Sequence, residues 1–71
     1  MRNLVLTLAT LGFRITLWSA DQANGEFRVD IERDGNTSVN LHSQLDDAID
    51  TMANAWDCPR HVMENMVYAT I

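Results

Sequence analysis

Residues 26–35, EFRVDIERDG, leave the backbone few choices. Phe27, Val29 and Ile31 alternate with Arg28, Asp30 and Glu32, the period of a strand with one buried and one wet face. Asp34-Gly35 then supplies the residue pair that best tolerates the positive φ angles of a two-residue hairpin turn. A partner strand must follow at once, and TSVNLH at 37–42 offers Val39 and Leu41 as its apolar side chains.

The same alternation runs upstream. Residues 3–9, NLVLTLA, place Leu4, Leu6 and Leu8 on one side of a strand and Val5, Thr7 and Ala9 on the other. After a turn at Gly12, FRITLWS at 13–19 points Phe13, Ile15 and Leu17 inward and Arg14, Thr16 and Trp18 outward. ADQANG at 20–25 has turn composition. Four strands joined by short connections make an antiparallel meander, which is stable only when its apolar face is covered.

SQLDDAIDTMANAWD at 43–57 supplies the cover. At 100° per residue Leu45, Ala48, Ile49, Met52, Ala53, Ala55 and Trp56 share one arc of a helix, while Asp46, Asp47, Asp50, Thr51, Asn54 and Asp57 share the other. Ser43 stands in the N-cap position, with Asp46 where a capping box would place it. Pro59 ends that helix. Val62, Met63, Met66, Val67 and Ala69 then keep helical spacing over 59–68, and a strand at MVYATI is the alternative. The prediction is a single α+β domain over 1–71: a four-stranded antiparallel meander covered on one face by a helix, plus a short C-terminal helix or strand. Ile31 and Trp56 are expected in its core.

Size and charge narrow the function classes. A chain of 71 residues buries only about 60% of its unfolded surface, so it has little room for a deep catalytic pocket. Ten acids against five arginines leave a net charge of −5, a sign that opposes direct binding to nucleic acid phosphates. Five acids and four arginines in residues 1–35 give −1, and five acids against Arg60 alone in residues 36–71 give −4.

MRNLVLTLATLGF has the basic-then-apolar opening of a secretory signal, but Arg14 interrupts it and Trp18 does not suit a small-residue cleavage pattern. The single Cys58 cannot form an internal disulfide, which fits a reducing cytoplasm. No stretch approaches the ~18 apolar residues of a membrane span.

Chemistry has few carriers. Cys58, His42 and His61 are the only thiol and imidazole groups, too few for a structural zinc site, and nothing in their spacing brings them to one carboxylate. No phosphate-binding glycine loop is present. The reading is therefore a non-enzyme with no cofactor and no metal.

Binding has two candidate surfaces. One is the outward sheet face, where Trp18 stands among Arg14, Arg28, Asp30 and Glu32; Trp and Arg dominate interface energetics. The other is the acidic helix stripe. First-turn Asp46 and Asp47 complement the helix dipole. Asp50 repels Asp46 at i+4, and Asp57 sits at the unfavourable end, so these two suit solubility or a basic partner.

GEFRVDIERDG, VNLHS and the helix AIDTMANAW closed by DCPRHV carry a resemblance. Their order of strand, hairpin, strand, helix and Trp-x-x-Pro over residues 24–63 resembles that of the small phage anti-CRISPR proteins directed against type I-F systems. The sharpest shared elements are IERDG at 31–35 and the Trp56 to Pro59 spacing. The apolar hairpin at the N-terminus and the Met-rich C-terminal segment depart from that pattern. The resemblance implies a non-enzymatic inhibitor that binds a host CRISPR surveillance complex, often on basic surfaces that would otherwise hold DNA, and so blocks target recognition.

Two alternatives stand beside it. S-x-LDDAID is similar to the helix start in the antitoxin half of certain toxin–antitoxin pairs, whose Pro-Gly turn before the last strand is missing here. A homodimer could also pair through edge strands or through Met63 and Met66.

Overall fold

A computed structural model describes residues 2–20 and 26–70 of the chain. The order of elements is β1 (Arg2–Thr10), β2 (Phe13–Ala20), β3 (Phe27–Arg33), β4 (Asn36–His42), α1 (Leu45–Trp56) and α2 (Arg60–Thr70). The strands form one antiparallel sheet in the order β1-β2-β3-β4. α1 lies over β2, β3 and β4, and α2 over β1. This is the α+β meander that the sequence predicts, with both helices on one face. The C-terminal alternative is settled as a helix. The turn predicted over 20–25 falls, beyond Ala20, outside the described residues.

The β3–β4 turn decides what β4 buries. Asp34 and Gly35 both take positive φ, 49° and 84°, as a two-residue hairpin of the strand-matching kind requires. Arg33 therefore pairs with Asn36, and the register puts Ser38 opposite Ile31, Asn40 opposite Val29 and His42 opposite Phe27. Because side chains alternate with period 2, Val39 and Leu41 point the other way. They are 52% and 59% exposed, which corrects the expectation that they are this strand's core residues. On the inner face His42 Nε2 and Thr51 Oγ1 of α1 lie 2.8 Å apart in a hydrogen bond.

A second correction concerns β1. Leu4 pairs with Trp18 but Leu6 pairs with Leu17, so Val5 is an extra residue, a bulge that reverses the phase of the strand. Leu6 and Leu8 face the core as predicted, whereas Leu4 lies on the outer face and is 57% exposed.

The core sits between the layers. Ile15, Leu17 and Val29 of the sheet meet Ala48, Ile49, Met52 and Ala53 of α1 and Met63 and Val67 of α2, all buried. Met63 is thus inaccessible as a dimer contact. Ile31 and Trp56 are half-buried at the margin rather than central. Trp56 stacks on Phe13 with centroids 5.0 Å apart, and the Arg33 guanidinium lies 4.2 Å from the Phe13 centroid while donating to the Ala55 carbonyl at 3.0 Å.

The helix termini also differ from expectation. The N-cap of α1 is Gln44, in extended conformation and without a side-chain cap, so Ser43 lies one residue outside and no capping box forms. α1 ends with Asp57 in the left-handed region at φ 58°, where the Cys58 N–H donates to the Ala53 carbonyl. Asp and Asn tolerate that conformation better than most residues. The Pro59 carbonyl accepts from the N–H groups of Val62 and Met63 and so opens α2.

Gly12 ties the two hairpins together. Its carbonyl accepts from the Asp34 N–H at 2.9 Å, its φ is 76°, and a Cβ there would sit 3.0 Å from Asp34 Oδ1. Gly12→Ala is expected to lower stability by about 1–2 kcal/mol from the left-handed backbone alone. The check is a denaturant titration, and a midpoint equal to that of the wild type would refute this role for the turn.

Candidate protein interface

The outer sheet face is built in rows by the strand pairing. Leu4, Trp18, Arg28 and Leu41 stand side by side across β1, β2, β3 and β4; Thr7, Thr16, Asp30 and Val39 form the next row, and Ala9, Arg14, Glu32 and Thr37 the third. Both helices occupy the other face, so no element of the described chain covers these residues. Trp18 and Arg28 are half-buried among their neighbours, Thr16 is nearly closed off, and Leu4, Val39 and Leu41 are exposed. Arg28 Nε donates to Asp30 Oδ1 at 2.7 Å. That pair spans the first two rows and holds the guanidinium beside the indole position.

The predicted site residues of the sheet therefore do converge. Trp18 and Arg28 are direct cross-strand neighbours, and Arg14 lies farther along β2, exposed and opposite Glu32. Leu4, Val39 and Leu41 complete the surface, although the sequence pattern groups Leu4 with Leu6 and Leu8 and offers Val39 and Leu41 as the apolar side chains of β4. The two-residue turn was a readable signal for Val39 and Leu41; the bulge that turns Leu4 outward leaves no local sequence mark.

The acidic stripe has a different outcome. Arg60 reaches across from α2 to Asp46 at 3.1 Å and Asp50 at 2.5 Å and also pairs with Glu64. The expectation of unpaired aspartates on α1 is thus corrected for two of the four. The Arg60 guanidinium donates hydrogen bonds to Asp50 and Glu64, and these raise its pKa above the ordinary range. Asp57 serves as the left-handed residue that ends α1. Asp47 lies in the first turn, where an anion complements the helix dipole. Each aspartate has a local role, and the uncovered sheet face has none.

The two surfaces lie on opposite sides of a molecule measuring 34 × 25 × 17 Å, so a flat partner can touch only one of them. The charges of Arg14 and Arg28 balance those of Asp30 and Glu32, whereas the helices hold Asp46, Asp47, Asp50, Asp57 and Glu64 against Arg60 alone.

Cys58 is half-buried against the core, His61 is exposed and His42 is engaged with Thr51. Among the described residues no group of three or more His, Cys, Asp or Glu side chains could hold a metal ion, and no helix is long and apolar enough to cross a membrane. No family model, curated protein or solved structure matches the chain.

Proposed function

We propose that this chain is a non-enzymatic, phage-encoded inhibitor that acts in the host cytoplasm, binds a CRISPR surveillance complex through its outer sheet face and blocks recognition of target DNA. The observation that carries the binding role is the uncovered row of Leu4, Trp18, Arg28 and Leu41, with Val39 beside it. Contiguous exposed apolar groups around a Trp and an Arg have the composition of an interface centre. The choice of partner rests on the resemblance at IERDG and at Trp56 to Pro59. The net charge of −5 suits a complex whose DNA-binding surfaces are basic, and it disfavours direct competition for the DNA itself.

The test is DNA binding by the purified type I-F surveillance complex at increasing amounts of this protein. Target binding should fall and reach its floor at a fixed molar ratio, as a stoichiometric binder requires. Unchanged DNA binding at saturating protein would overturn the choice of partner, and inhibition by trace amounts would overturn the non-enzymatic reading.

A further inference from the structure

We infer that in the free protein the outer sheet face closes on the same face of a second copy, about a two-fold axis that runs parallel to the strands between β2 and β3. Self-association then competes with any other partner for this surface. The dimer stands without the CRISPR reading; only the identity of that competitor rests on it.

The charge pattern of the face selects a second copy. Arg14 and Arg28 balance Asp30 and Glu32, so two such faces meet without net charge although each chain carries −5. The excess acids lie on the helices, which turn away from the seam on both copies. Arg28 is held by its own Asp30, but Arg14 and Glu32 form no ion pair among the described residues. A second copy offers each of them its opposite.

The strand pairing shows how. A two-fold axis along the strands keeps each row level and reverses the strand order, laying β2 over β3 and β1 over β4 of the second copy. Arg14 then faces Glu32, Trp18 faces Arg28 and Leu4 faces Leu41, and each contact is made twice. A guanidinium within about 6 Å of an indole face is favourable, and the exposed leucines at the corners of the face cover each other. The other in-plane axis, across the strands, sets Asp30 directly over Asp30 and gives Leu4 and Leu41 only Ala9 and Thr37 as partners. Like charges so placed are unfavourable.

The geometry of sheet packing permits this match. Aligned sheets pack about 10 Å apart with their strands within about 30° of each other. In the outer rows, about 7 Å from the centre, that angle displaces facing positions by about 3 Å, less than the strand spacing of about 4.8 Å. Four strands span a face of about 20 by 25 Å, which gives about 500 Å² per copy and about 1,000 Å² in total, at the lower end of specific interfaces. Contacts of that size exchange, so a tighter partner displaces the second copy.

Sedimentation velocity over a concentration series, with no other protein present, tests this. The mean mass of the wild type should rise from the 8.0 kDa of one chain toward twice that value between about 1 μM and 1 mM. Arg14→Glu and Glu32→Arg should each keep the circular dichroism of the wild type and raise the dissociation constant at least about tenfold. An equimolar mixture of these two variants should associate again, because each supplies the charge that the other lacks. Leu41→Glu should also weaken the dimer, whereas Val62→Glu, on the helical side, should leave it intact. A wild type that keeps the mass of one chain at millimolar concentration overturns the inference, and so does a mixture of the two charge-reversal variants no heavier than either alone. A dimer that Val62→Glu dissolves and Leu41→Glu does not would place the contact on the helices and overturn it as well. The DNA-binding assay above reads the CRISPR partner separately, so either reading can fail alone.

Discussion

Leu17→Ala is expected to cost about 2–5 kcal/mol of folding stability, while Leu41→Ala changes it by no more than about 0.5 kcal/mol. Leu17 is fully buried, flanked across the sheet by Leu6 and Val29, beneath a helical layer that contributes Ile49, Met52, Met63 and Val67. Its truncation removes apolar contact and leaves a cavity among side chains fixed on both layers. Total stability for a chain of this length is roughly 4–11 kcal/mol, so the variant loses a large share of it. Leu41 is the same residue type in the same sheet, but it is 59% exposed and has little burial to lose. Denaturant titration of the two variants reads the strand register directly: similar losses for both would mean that β4 is turned over relative to this fold.

Trp18→Ala is expected to weaken partner binding by about 2 kcal/mol or more, roughly thirtyfold in affinity. Its effect on folding should stay within the ~0.2–1 kcal/mol of a cross-strand pair. The indole lies between Leu4 and Arg28 on a face that nothing in the described chain covers; it is half-buried among its neighbours, and the part left open faces a partner rather than the core. Dissociation kinetics on the immobilised complex, with a thermal melt of the same preparation, separate the two contributions. A collapsed melting temperature with unchanged affinity per folded molecule would make Trp18 a structural residue.

The fold was legible where local chemistry and the global arrangement agree. The alternation at EFRVDIER, the turn pair Asp34-Gly35 and the apolar arc of SQLDDAIDTMANAWD each specify one element and one buried face, and they are mutually consistent. Legibility ended where one local signal overrode another. In β4 the apolar residues Val39 and Leu41 suggest one register and the length of the turn imposes the other; backbone geometry prevails because the inner side of this edge strand is itself only partly covered, with Ser38 exposed and Asn40 and His42 half-buried, so polar residues there cost little. In β1 the bulge at Val5 is set by pairing with β2, a long-range condition that the strand's own pattern does not display.

The candidate site followed the same division. Trp18, Arg14 and Arg28 were readable as outward residues of alternating strands. The partner of Asp46 and Asp50 was not, because Arg60 is fourteen and ten residues away along the chain and meets them only once α2 folds back against α1.

The claim that the outer sheet face is the docking surface meets its most direct test in one comparison. Association and dissociation rates on the immobilised surveillance complex are measured across ionic strength for the wild type, for Trp18→Ala and for the double variant Asp47→Asn, Asp57→Asn. Asp47 and Asp57 lie on the helical side, across a 17 Å thickness that exceeds the ~8 Å screening length at physiological salt. The account predicts that Trp18→Ala dissociates much faster, while the double variant keeps the association rate and salt slope of the wild type. Slower association and a flatter salt slope for the double variant, with Trp18→Ala binding like the wild type, would place the contact on the acidic helices and contradict it.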